Sequence, residues 1–300
     1  MRTNKLQHPV QLVFPFLIYV GAVVAIIYFA VCIFLFFQQT RFIFFPSSII
    51  KTTPEFLNLA YKDVWLPVSA RAGKVEHIHG WWIQANQPNA KVLLYLHGNA
   101  INIGANVVHA HRFYQLGFSV LLIDYRGYGR SKGRFPSESR VYQDAATAWD
   151  YLVYQKQISP SQIFIYGHSL GGAIAIDLAL KNPNAAGLIV ESSFTSLQKV
   201  TAHRNNYWMF PVNLILTQRF DSIGKVPNLK IPVLFIHGTD DVVIPAFMSQ
   251  DLYAAAPEPK TLVLVPGAGH SNVAEVAPSI YLQAVRSFVF PKELMTDSGS

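Results

Sequence analysis

A chain of 300 residues that is 51% hydrophobic and only 14% charged, against a usual charged share of roughly 25%, is neither disordered nor an ordinary fully soluble protein. Its net charge is +7, yet the 24 Lys and Arg residues are scattered singly; this excludes a phosphate-tracking run, argues against nucleic acid and leaves membrane lipid as the natural partner of the charge. One cysteine, Cys32, excludes an intramolecular disulfide framework and a cysteine-based zinc site.

The excess apolar material lies at the N-terminus. Residues 12–37 contain no charge, and as a helix they would run roughly 39 Å against a hydrocarbon core of about 30 Å. A buried core helix would be shorter or carry a polar face. A cleaved signal peptide would have an apolar region of about 7 to 15 residues ending in small ones; here the run passes into Gln38, Gln39, Thr40, Arg41 and then Phe42 to Phe45. The reading is therefore an uncleaved single-pass transmembrane anchor at 12–37, with a tail at 1–11 and a juxtamembrane linker at 38–55. Arg2 and Lys5 flank one side and Arg41 and Lys51 the other, so the positive-inside rule barely discriminates; the acid-free tail favours a cytoplasmic N-terminus and an extracytoplasmic main domain.

Beyond the linker, apolar runs rich in Val, Ile, Leu and Tyr predict strands at 56–68, 77–84, 92–96, 119–123, 162–166, 187–190, 233–236 and 261–265. Helical patterns fall at 103–116, 138–154, 170–180, 246–255 and 278–288. This alternation predicts an α/β domain over 56–290, a mainly parallel sheet covered by helices on both faces, with an antiparallel pair at its edge; residues 291–300 are a tail. Residues 192–230 lack a clear strand and read as a small cap over the strand ends, where such sheets bind ligands. Within it, Tyr207, Trp208 and Phe210 either contact an acyl or lipid-like group or pack the cap onto the sheet.

Gly167-His168-Ser169-Leu170-Gly171-Gly172 stands directly between a strand pattern and a helix pattern. So tight a strand-to-helix turn strains its central residue, and glycines two before and two after relieve the crowding and leave the Ser169 hydroxyl clear of the sheet. A serine needs a base, usually histidine, and the histidine a carboxylate, in the chain order Ser, acid, His for this turn. Only His203, His237 and His270 follow Ser169. His237 lies within a strand and His203 precedes every well-placed acid, which leaves His270 in PGAGHSN. For the acid, HGTDDVVIP offers Asp240 and Asp241 equally by position, with Glu191 a third, lower-ranked choice. An oxyanion hole would take the backbone N–H of Leu170 and that of Asn99, with Gly98 allowing a sharp turn before it. Two His-x-His pairs, His77/His79 and His109/His111, have no clustered carboxylate or third histidine, so no metal is expected, and no cofactor.

In this order and spacing, LHGNA, DYRGYGRSKG (124–133), YGHSLGG, HGTDDVVIP and GAGHSN resemble the α/β-hydrolase superfamily. The single-span anchor, GWWIQA and VESSFTSL resemble its small membrane-anchored bud-emergence-type subgroup; the likeness covers about residues 40 to 290. The resemblance implies an α/β-hydrolase fold, a triad of Ser169, Asp241 and His270, and an oxyanion hole at Asn99 and Leu170. Two departures are slight: Ile244 stands where valine is frequent, and Ser271 and Asn272 replace a more acidic pair. The expectation is a serine hydrolase acting on carboxylic esters or thioesters of acyl or lipid-like substrates. Amide cleavage and a catalytically silent binding protein on the same fold are the alternatives, and nothing in the sequence indicates an oligomeric state.

Overall fold

The computed structural model describes residues 10–70, 73–204 and 207–291; the flanking Arg2 and Lys5 and the tail 292–300 lie outside the described residues. Helix α1 (Val10–Ile43) runs unbroken for 34 residues, with Pro15 in its early turns. It is apolar on every side, a composition that belongs in a core or in lipid, and no residue of its most apolar stretch is buried by the rest of the described chain. By length and composition it is able to cross a membrane.

The segment expected as a linker, 38–55, is part of the fold. Gln39 is buried: its Nε2 donates to the Phe36 and Ile215 carbonyls at 2.7 and 3.2 Å, and its Oε1 accepts from the Thr217 and Gln218 N–H groups at 2.8 and 3.0 Å. After α1, strand β1 (Phe45–Pro46) pairs in parallel with β5 (Ala100–Ile101). Asn102 Nδ2 then donates to the Ser47 and Ile49 carbonyls, each at 2.9 Å. The strand predicted at 56–68 begins late. Pro54 opens a short 3-10 helix, Pro54–Leu57, which Asn58 ends at φ 55°, and β2 starts only at Lys62.

Strands β2 (Lys62–Ser69), β3 (Val75–Ile83), β4 (Val92–Leu96), β6 (Ser119–Ile123), β7 (Ile163–His168), β8 (Gly187–Glu191), β9 (Val233–Gly238) and β10 (Lys260–Val265) form one eight-stranded sheet, in the order β10-β9-β8-β7-β4-β6-β3-β2. Every neighbouring pair from β10 to β6 is parallel, and β3 lies antiparallel to both β6 and β2. The central strands are buried on both faces, so their residues divide by parity. Val92, Leu94 and Leu96 enter one core with α3 (Glu138–Asp150), α4 (Leu170–Lys181) and α7 (Phe247–Ala255). Leu93 and Tyr95 enter the other with α2 (Val107–Gln115) and α9 (Pro278–Val289). The cap holds α5 (Leu197–Arg204) and α6 (Val212–Ile215), and α8 (Val273–Val276) follows the loop after β10.

Candidate active site

One residue, Ser169, separates β7 from α4, and its backbone sits at φ 55°, ψ −120°. A non-glycine residue held there costs about 1–3 kcal/mol and persists only where its surroundings over-determine it. They do: its N–H donates to the Glu191 carbonyl at 2.9 Å, and its carbonyl accepts from Ser193 Oγ at 2.8 Å and the Gly172 N–H at 2.9 Å. The glycines are sterically required. A Cβ on Gly167 would strike the Gly171 carbonyl, and one on Gly171 would strike the Leu96 carbonyl of β4. Their absence lets α4 start against the strand ends and aims its first N–H groups, which have no helical acceptor, at the serine side.

His270 reaches this serine from the loop after β10. Its Nε2 lies 3.0 Å from Ser169 Oγ and its Nδ1 2.7 Å from Asp241 Oδ2. Since the carboxylate only accepts, Nδ1 carries the proton and Nε2 is left to accept from the hydroxyl. Asp241 in turn is fixed on both oxygens: Oδ1 accepts the Val243 and Ile244 N–H groups, each at 2.8 Å. Burial pushes this carboxyl up, but hydrogen bonds from His237, His270 and the Ile244 N–H outweigh it and hold it well below the usual carboxylate range. The rival acids are engaged elsewhere. Asp240 Oδ1 accepts the Thr239 hydroxyl at 2.8 Å. Glu191 Oε2 accepts the Tyr166 and Tyr281 hydroxyls at 2.8 and 2.9 Å.

Ser169 and His270 open into a cavity of about 210 Å³ whose wall includes Gly98, Asn99, Asn106, His109 and Ser271. Asn99 is anchored through its side-chain amide nitrogen and its carbonyl. Its Nδ2 donates to the Ile43 carbonyl at 2.9 Å, and its carbonyl accepts the Tyr128 hydroxyl at 2.7 Å and the Phe45 N–H at 2.9 Å. The end of α1 and strand β1 thus hold the loop expected to supply the first oxyanion donor. Gly98 precedes Asn99. Its φ is not positive, and a Cβ there would meet His168 Nδ1 and Ser169 Cβ at 3.5 Å each and the His168 carbonyl at 3.6 Å, ordinary contacts on the pocket side. Among the described residues no group of three His, Cys, Asp or Glu side chains stands together to hold a metal.

The family profile described as "Serine aminopeptidase, S33" matches residues 87–223. Rv2307c of Mycobacterium tuberculosis is 36% identical over 271 residues, 90% of this chain and 94% of that protein. The chain belongs to the α/β-hydrolase family. Protein bem46 of Schizosaccharomyces pombe is 34% identical to this α/β hydrolase over 197 residues, 64% of each chain. Among solved structures, the Pyrococcus furiosus esterase Pf2001 shares the fold of this hydrolase at a TM-score of 0.67 and 20% identity, covering 82% of this chain and 97% of that one.

Two histidines of this α/β hydrolase escaped sequence reasoning. His237 Nε2 lies 2.8 Å from the Ile244 carbonyl and 3.1 Å from Asp241 Oδ2, while its Nδ1 meets Ser249 Oγ at 2.6 Å. A carbonyl only accepts, so Nε2 carries a proton, which makes His237 a second donor that steadies Asp241. His168 Nε2 donates to the His270 carbonyl at 2.9 Å, and burial lowers its pKa to about 4, so it stays neutral. Both had a signal: each lies within a motif, His168 directly before the serine and His237 four residues before Asp241. The cap aromatics are a correction. Tyr207 and Phe210 line a separate cavity of about 170 Å³ with Leu35, Gln39 and Phe42 of α1, Trp208 projects outward, and none of the three borders the Ser169 cavity. Aromatic composition does not distinguish a substrate wall from a helix-packing face, and here α1 takes the contact.

Proposed function

We propose that the protein is a membrane-anchored serine hydrolase cleaving carboxylic ester or thioester bonds of acyl or lipid-like substrates. The observation that carries the reading is the hydrogen-bonded chain Ser169 Oγ, His270 Nε2, His270 Nδ1, Asp241 Oδ2, at 3.0 and 2.7 Å. In this reading Ser169 Oγ attacks the acyl carbon while His270 Nε2 takes its proton. The oxyanion is met by the Asn99 and Leu170 N–H groups, and Asp241 steadies the imidazolium. His270 then protonates the leaving alkoxide or thiolate, which departs and leaves an acyl-Ser169 ester. A water, deprotonated by the same nitrogen, cleaves that ester to release the acid and restore the serine. The length of α1 and its unburied apolar surface support the anchor.

A second reading, amide cleavage from a peptide N-terminus, is favoured by the name of the family profile. An aminopeptidase has to balance the substrate α-ammonium, and burying an unpaired cation is costly. Among the described residues, the wall of the Ser169 cavity holds no carboxylate. This supports the ester and thioester reading. Full-length protein assayed against p-nitrophenyl esters of graded chain length, acyl thioesters and aminoacyl anilides should turn over the first two classes far faster. Faster turnover of the anilides would overturn the preference.

A further inference from the structure

The cap has an apolar edge that the sheet does not cover. Trp208 is 77% exposed and Leu214 78%, with Tyr207 and Met209 exposed beside them. What lies next to this edge is α1. The Tyr28 and Phe210 rings stack at 6.0 Å with 7° between their planes, and Tyr28 Oη donates to the Met209 carbonyl at 2.9 Å. Eleven residues further along α1, Gln39 binds the Ile215 carbonyl and the Thr217 and Gln218 N–H groups. The cap therefore lies along roughly 16 Å of the helix.

That placement decides its depth. A hydrocarbon core of about 30 Å takes roughly 20 helical residues, so a core that starts with the apolar run at Leu12 extends to about residue 32. Tyr28 falls short of that limit by about one helical turn. Whatever touches Tyr28 meets the edge of the bilayer. The residues that touch it or surround the contact are Tyr, Trp, Met and Phe, and Tyr and Trp are the types that settle at membrane interfaces. Charge agrees. Residues 197–220 contain Lys199, Arg204 and Arg219, all exposed, and no Asp or Glu, a balance that favours anionic headgroups.

We propose that cap residues 207–215 form a second membrane contact, seated in the headgroup region of the leaflet that holds the C-terminal half of α1. The inference rests on the anchor reading and adds that the domain lies on the bilayer instead of hanging from it. It makes α1 and the cap one lipid-facing surface, and it turns the cavity between them toward the membrane.

The test uses the full chain in vesicles of phosphatidylcholine and phosphatidylglycerol, with Trp208 emission taken as the difference between wild type and Trp208→Phe. The variant keeps an aromatic ring at an exposed position and should fold normally. Trp208 should be quenched strongly by lipid carrying a nitroxide near the headgroup, less by lipid labelled at the chain end, and hardly at all by aqueous iodide. Iodide quenching with no effect of either nitroxide lipid, in protein that resists carbonate extraction, overturns the cap contact and leaves the anchor standing. Release by carbonate overturns the anchor and the cap contact with it.

Discussion

Replacing Asp241 by Asn tests the His270 tautomer directly. The carboxylate makes four hydrogen bonds: Oδ1 to two backbone N–H groups at 2.8 Å each, Oδ2 to His270 Nδ1 at 2.7 Å and to His237 Nε2 at 3.1 Å. An amide has one oxygen. If that oxygen keeps the Val243 and Ile244 N–H groups, the amide NH₂ faces His270 and donates to Nδ1. The ring then carries its proton on Nε2, where it has to accept from Ser169 Oγ, and the base is lost. Such a tautomer reversal costs about 10⁴ in kcat, or roughly 5.5 kcal/mol. Asp240 is the control, because its side chain is exposed and its carboxylate accepts the neighbouring Thr239 hydroxyl at 2.8 Å. Loss of one such bond is worth about 1 kcal/mol, so Asp240→Asn should keep kcat within about tenfold. Stopped-flow or steady-state hydrolysis of a short p-nitrophenyl ester reads both, with circular dichroism to establish folding. A folded Asp241→Asn variant within about tenfold of wild-type kcat would refute the reasoning.

Three further variants follow from the same geometry. His237→Phe keeps the ring shape but leaves the Ser249 hydroxyl and Ile244 carbonyl unpaired, so denaturant unfolding should show a loss of about 1–3 kcal/mol, with kcat reduced as Asp241 loosens; unchanged stability would remove His237 from the network. Asn99→Ala deletes the bond to the Ile43 carbonyl and should lower kcat about tenfold with KM little changed, because the backbone donor stays but is less well held; a loss confined to KM would point instead to substrate binding. Asp124 is fully buried, and burial pushes its carboxyl up to about 8 against the lowering effect of the Ile103 N–H. From about pH 4, where the unfolded carboxyl ionises, up to about 8, the folded protein holds a proton that the unfolded chain has lost, so this group makes stability fall as pH rises. Thermal unfolding of Asp124→Asn should show a flatter fall over that window than wild type, and parallel curves would contradict the shift.

What was legible in the sequence was local or periodic. The Ser169 turn could be read because its steric demand falls on Gly167 and Gly171, two residues either side. The sheet could be read because strands buried on both faces are continuous apolar runs bounded by turns. Asp241 and Asp240 looked alike because the difference is made by the backbone of Val243 and Ile244, which folds onto one carboxylate and not the other. His237 read as a strand residue, since nothing local shows that Ser249 and Ile244 close around its ring. The late start of β2 follows from Pro54, whose helix-initiating role an apolar count overlooks. The cap aromatics were placed against the wrong partner because apolar side chains carry no label for a pocket, a sheet or a helix from another part of the chain. For the same reason 38–55 read as a linker: its pairing with Ala100–Ile101 joins segments too far apart in sequence for any window to connect.

The central claim, that Ser169 is a nucleophile activated by His270, is tested most directly by covalent labelling with a fluorophosphonate followed by peptide mapping. The probe should attach to one site, the peptide containing Ser169, and attachment should be abolished in a folded Ser169→Ala variant. Labelling that persists in that variant, or that maps to another serine in the wild type, would contradict it.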